Sequence, residues 1–270
     1  MSTGTAGNVI QLHKAQCCFL QVALPGRPPE NAGVLLLDPE TDALYLKLRR
    51  DWEQFAGEEE DVLALLEEDL RGKAKEMGGE RVLEWLEENL SNLLRITARE
   101  QVVAGDFDAR LRGLYKAYVP ARVLPYRTHL PLTSCRAAAG HLSPEAPVEA
   151  EGWVEAPENL RLSEGLFVAQ VHGHSMEPRI PDGTLCVFRR PVTGSRDNRL
   201  LLIQKHGEFD ETARFTIKRY RSRKIATADG GWRHEEIRLE PLNPAFETWT
   251  LAPDQFEVVA EFVSVLPPEE

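Results

Sequence analysis

A serine held in a crowded turn is the first place where this chain could do chemistry. The run Val171-His172-Gly173-His174-Ser175-Met176-Glu177-Pro178 is followed by Ile180-Pro181-Asp182-Gly183. An apolar strand ends at Gly173, the serine follows, and Pro178 and Asp182-Gly183 impose further turns. Such a turn exposes a hydroxyl and can align backbone N–H groups beside it as an oxyanion hole. A serine hydroxyl also needs a base. Three are on offer. His172 and His174 flank Ser175, but immediate neighbours in extended chain point their side chains apart. The third is Lys218, in Phe215-Thr216-Ile217-Lys218-Arg219-Tyr220. Alternation puts Thr216, Lys218 and Tyr220 on one face and Phe215, Ile217 and Arg219 on the other. By spacing alone Lys218 is an ordinary solvent-facing lysine. A His172-x-His174 metal site lacks an accompanying ligand cluster, so no metal and no cofactor is expected.

The elements that must carry these residues fall into two halves. From Leu166 onward, short β-like runs recur between Gly, Asp and Pro: Phe167–Val171, Leu185–Phe188, Leu200–Gln204, Phe215–Tyr220, Ile237–Pro241 and Val258–Leu266. This is the spacing of a mainly β domain, expected over 161–270. The first half differs. Cys17–Leu24 and Gly33–Leu37 are apolar. Leu44, Leu46 and Leu48 then alternate with Tyr45, Lys47 and Arg49 after an Asp38-Pro39-Glu40-Thr41-Asp42 turn, which predicts a β-hairpin. Helical stripes follow: Val62, Leu63, Leu65, Leu66 and Leu70, ended by Gly78-Gly79; then Val82, Leu83, Leu86, Leu90, Leu93 and Leu94; then Phe107, Leu111, Leu114, Tyr115 and Tyr118. Residues 1–120 thus read as an α+β module of strands and about three helices. The order of elements and the acid-rich helices do not suit a helix-turn-helix. Residues 121–160, rich in Pro, Ala and Glu, read as a linker with a short extended segment inside.

Composition narrows the classes. The chain has 270 residues, 42% of them hydrophobic, and a formal net charge of −11. The negative charge is spread over both halves, so direct DNA binding is not expected. No run approaches the ~18–20 apolar residues of a spanning helix, and the first twenty residues do not read as a signal peptide. Four cysteines, two of them adjacent (Cys17 and Cys18), fit a reducing cytoplasm. The densest basic stretch, Arg214–Lys224, reads as a solvated strand and turn.

Four blocks in order carry a family resemblance: Gly173-His174-Ser175-Met176-Glu177-Pro178; Asp182-Gly183; Phe215-Thr216-Ile217-Lys218-Arg219; and Leu239-Glu240-Pro241-Leu242-Asn243-Pro244. Together they resemble the LexA/UmuD-type self-cleaving serine peptidases, over roughly Leu130 to the C-terminus. The resemblance implies a nucleophile at Ser175, a general base at Lys218, and an oxyanion hole from the backbone N–H groups of His174 and Ser175. A free lysine titrates near ~10.4, so this role needs burial to keep the amine neutral. The resemblance also implies a cut at a small-residue–Gly bond upstream. Ala139-Gly140, after Leu130-Pro131-Leu132 and Ala137-Ala138, is the expected bond, with Ala104-Gly105 as the fallback. The cut would release the N-terminal sensory or binding module, in a stress- or SOS-like response. The expected substrate is the chain's own cleavage segment. Cleavage in trans and a catalytically silent binding module are the alternatives. The family further suggests a homodimer, with Val258–Leu266 as the expected contact strand, and an activating protein or ligand of unknown identity. His172 and His174 depart from the family's serine block, and residues 1–120 show no LexA-like DNA-binding domain.

Overall fold

Apolar alternation and turn residues build two compact units, which divide between Arg122 and Val123. The computed structural model describes residues 11–89, 93–139, 150–157, 159–208, 214–226 and 232–267. Among them no helix is long and apolar enough to cross a membrane.

The first unit is an antiparallel sheet with helices on both faces. Strands β1 (His13–Val22), β2 (Glu30–Asp38) and β3 (Ala43–Leu48) pair in sequence order. The free edge of β1 is shared: its second half takes β4 (Leu94–Ile96), its first half β5 (Glu100–Ala104). On one face Cys18, Leu20, Leu35, Leu37, Leu46 and Leu48 form a core with α1 (Trp52–Ala56), α2 (Glu60–Ala64), α3 (Leu66–Met77) and α4 (Gly79–Glu88). On the other, Ala15, Cys17, Val34 and Leu36 pack under α5 (Phe107–Tyr118). Because both faces are covered, β2 is apolar almost throughout.

The predicted hairpin is present, and so are the helices, with changes. The first stripe is broken at Leu65, between α2 and α3, which leaves Val62 and Leu65 exposed while Leu63 and Leu70 enter the core. The second stripe ends early: Leu94 belongs to β4, and Leu90 lies outside the described residues.

The second unit is mainly β. Its nine-stranded sheet runs β13 (Trp249–Thr250), β12 (Trp232–Glu240), β11 (Phe215–Ala226), β10 (Leu200–Lys205), β14 (Phe256–Val265), β9 (Leu185–Arg189), β8 (Leu166–Gln170), β6 (His129–Leu132) and β7 (Gly152–Glu155). Among the described strands only β6 and β8 pair in parallel. The expected linker is therefore corrected: within 121–160, β6 and β7 are strands of this sheet, and α6 (Cys135–Ala139) packs on its core. Leu130 is fully buried and Ala138 nearly so, which holds this stretch down despite its loop-like composition. The C-terminal strand is internal, with β10 on one edge and β9 on the other.

Candidate active site

Backbone hydrogen bonds on both sides fix the serine turn. After β8, Val171 pairs with the chain beyond the turn: its N–H donates to Thr184 O (3.0 Å), and Gly183 N–H donates to Val171 O (2.9 Å). Gly173 takes φ +105°, a conformation that favours glycine, and its N–H donates to Asp182 Oδ1 at 2.6 Å. That N–H holds the Asp182 carboxyl below its ordinary pKa. Met176 and Ile180 are buried in the core below, which pins the far side of the turn.

A second clasp comes from the segment after β12. The N–H groups of Leu242 and Asn243 both donate to Ser175 O at 3.0 Å, and Asn243 Nδ2 donates to His174 O at 2.9 Å. The Leu239–Pro244 block thus acts as the brace of the serine turn. With both carbonyls taken, the Ser175 side chain is directed toward β11.

There it meets Lys218, whose Nζ lies 2.6 Å from Ser175 Oγ and donates to it. Lys218 is register partner to Leu201 on β10, and the lysine is only 2% exposed. Burial brings its pKa down from the ordinary 10.5 to about 8. With the amine neutral the contact can reverse, the hydroxyl donating to nitrogen. This is the geometry by which a buried amine takes a proton from a serine.

The histidines go elsewhere. His174 Nδ1 meets Glu177 Oε1 at 2.8 Å, and that carboxylate raises the imidazole pKa. His172 Nδ1 is 4.0 Å from Asp182 Oδ1. Both side chains are more than half exposed. Each faces a carboxylate of its own turn.

The expected cleavage segment is ordered on its N-terminal side. Ala137–Ala139 close the short helix α6, where Ala137 N–H donates to Ser134 Oγ at 3.1 Å. Ala138 sits in the same core as Met176, and its carbonyl accepts from the buried Arg190 guanidinium. Gly140 lies outside the described residues. At the fallback bond, Ala104 is buried at the end of β5, and Asp106 caps α5 by accepting from Ala109 N–H at 2.9 Å.

Sequence reasoning did not single out the bracing role of Asn243 or the presence of Trp249, whose ring centroid is 5.0 Å from Lys218 Nζ. Asn243 stood inside a quoted motif. Trp249 carried no local signal, because a long-range strand pairing places it.

With this geometry in place, the comparison with known families is direct. Residues 131–263 match the family described as Peptidase S24-like. The match runs from within β6 through most of β14, so it covers the serine turn, its brace and Lys218 together. It supports a serine peptidase of the LexA/UmuD self-cleaving type in general terms. No curated protein matches the chain. The α+β module lies outside the S24-like region.

Proposed function

We propose that the S24-like region is a serine endopeptidase that cuts its own chain at Ala139-Gly140, with Ser175 as nucleophile and Lys218 as general base. The 2.6 Å contact between Ser175 Oγ and the Nζ of a buried lysine carries this reading. Ser175 Oγ attacks the Ala139 carbonyl carbon while its proton passes to neutral Lys218. The carbonyl oxygen becomes an oxyanion held by the N–H groups of His174 and Ser175. The ammonium then returns the proton to the departing Gly140 amine, and water releases the acyl group in the reverse sequence.

Small side chains at 137–139 suit close approach to the nucleophile. The α6 helix must first open, because Ala138 is buried and its carbonyl is engaged. The cut severs the covalent link between the first unit with β6 and α6 and the rest of the sheet, while β6 keeps its pairing with β7 and β8 until those strands part.

The test is intact-mass spectrometry of purified protein held at pH 9. The expected result is two fragments of about 15 kDa each by chain length, with none from Ser175→Ala. Cleavage of Ser175→Ala at the wild-type rate would defeat the assignment. Fragments ending at Ala104 would move the scissile bond.

A further inference from the structure

The reaction leaves an unmet requirement at Lys218. As Ser175 loses its proton, the amine becomes an ammonium in a place almost without water. The charged groups on that face of the sheet are already committed. On β10, Lys205 lies near Glu208 (3.7 Å), and Arg199, just before β10, pairs with Glu261 of β14 (3.1 Å). Glu240 of β12 faces Arg219 and Arg221, which alternate to the opposite side from Lys218. Tyr220, next on the Lys218 face, is buried, and burial raises its phenol pKa. What meets Nζ instead is the Trp249 ring, its centroid 5.0 Å away.

The register explains how it gets there. Tyr220 pairs with Leu239, and Leu239 with Trp249, so the indole stands on the Lys218 face two strands away. The same ring also lies 5.0 Å from Lys205 Nζ. A shared π face attracts a cation without a full counter-charge. A carboxylate at this spot would raise the pKa of the amine and keep it protonated well above pH 8, whereas a plain aliphatic wall would give the new ammonium nothing.

We infer that Trp249 is a positioning residue for the proton transfer, holding Lys218 Nζ against Ser175 and receiving on its indole face the charge that Lys218 gains. The inference rests on the Ser175–Lys218 reading, and two measurements separate their failures. The first is a 13Cε NMR titration of Lys218 in the uncleavable Ser175→Ala protein, with Lys218→Met to assign the signal. The second is the pH–rate profile of self-cleavage.

In both, Trp249→Leu should lower the Lys218 midpoint by about half to one pH unit, the size of a cation–π contact, with Trp249→Phe in between. The plateau cleavage rate should fall at least about fivefold for Leu and stay within about threefold for Phe. Simple loosening of the site would admit water and move the midpoint up, toward the ordinary lysine value. Unchanged or raised midpoints in well-folded Leu and Phe variants would overturn the role of Trp249. Ordered NMR midpoints with no cleavage by the wild type would instead overturn the peptidase reading and leave the indole's hold on the ammonium standing.

Discussion

At Lys218, burial acts on reactivity and on stability together. The folded pKa is about 8 against an ordinary 10.5, so between these values the unfolded chain binds the extra proton. Stability therefore rises with pH across that window and, for this group, is flat below it. Lys218→Met removes the buried ammonium and should stabilise the fold at pH 7 by on the order of 2 kcal/mol, with the gain shrinking toward pH 10. Urea denaturation at the two pH values measures it, and an equal gain at both would mean that burial does not lower the pKa of this lysine. Reactivity runs the same way: self-cleavage should climb with a midpoint near pH 8 as the amine becomes neutral. Lys218→Arg should be inactive at every pH, because guanidinium does not deprotonate. His172→Gln with His174→Gln should keep the alkaline rise, since both imidazoles face carboxylates of their own turn. A midpoint that moved with the histidines would return them as candidate bases.

Elements meet in this fold through a few contacts that tolerate little change. Gly165 precedes β8 and accepts at its carbonyl from Arg190 N–H at 2.7 Å. A Cβ at Gly165 would collide with the Arg190 carbonyl oxygen, which is backbone and cannot swing away. Gly165→Ala should cost about 2 kcal/mol or more and disturb the β8–β9 pairing just upstream of the serine turn. Thermal melting measures the loss, and an unchanged melting temperature would show that this strand end is free to shift. In the first unit, Asp42 accepts from Glu80 N–H at 2.7 Å, while Gly79 N–H donates to Asp42 O at 3.1 Å. The hairpin turn thus caps α4 from a distance. Asp42→Ala should cost about 1 kcal/mol, read by chemical denaturation.

For the whole molecule the decisive property is whether nucleophile and scissile bond share one chain. Self-cleavage within a molecule is first order, so tenfold dilution should leave the rate constant unchanged. A rate that falls with dilution, or wild-type protein that cuts Ser175→Ala in a mixture, would favour cleavage in trans. The ordered α6 sets a further expectation: the resting chain should cut slowly until residues 135–139 leave their core. Mild urea, below the unfolding transition, should then speed the reaction before it abolishes it. A monotonic decrease would place the barrier elsewhere than in α6.

How much of this was legible in the chain depends on the range of the interaction. Turn residues and period-two runs are local, and from them the hairpin, the α5 stripe and six strands of the second unit were readable. The order of Ser175, Lys218 and the 239–244 block was also readable, because a family pattern is written in sequence. Strands β6 and β7 were not, since four residues show almost no period and their partners lie far along the chain. Nor was the burial of Lys218. Alternation assigned it to the face of Thr216 and Tyr220, but alternation names a face without saying what covers it. In the folded sheet that face carries Leu201, Ile203, Tyr220 and Leu239, while Ile217 enters the core on the other side. Residue types and spacing settled which groups were available to react. Tertiary packing alone decided that one amine would lose its water, because desolvation depends on neighbours brought in from other strands.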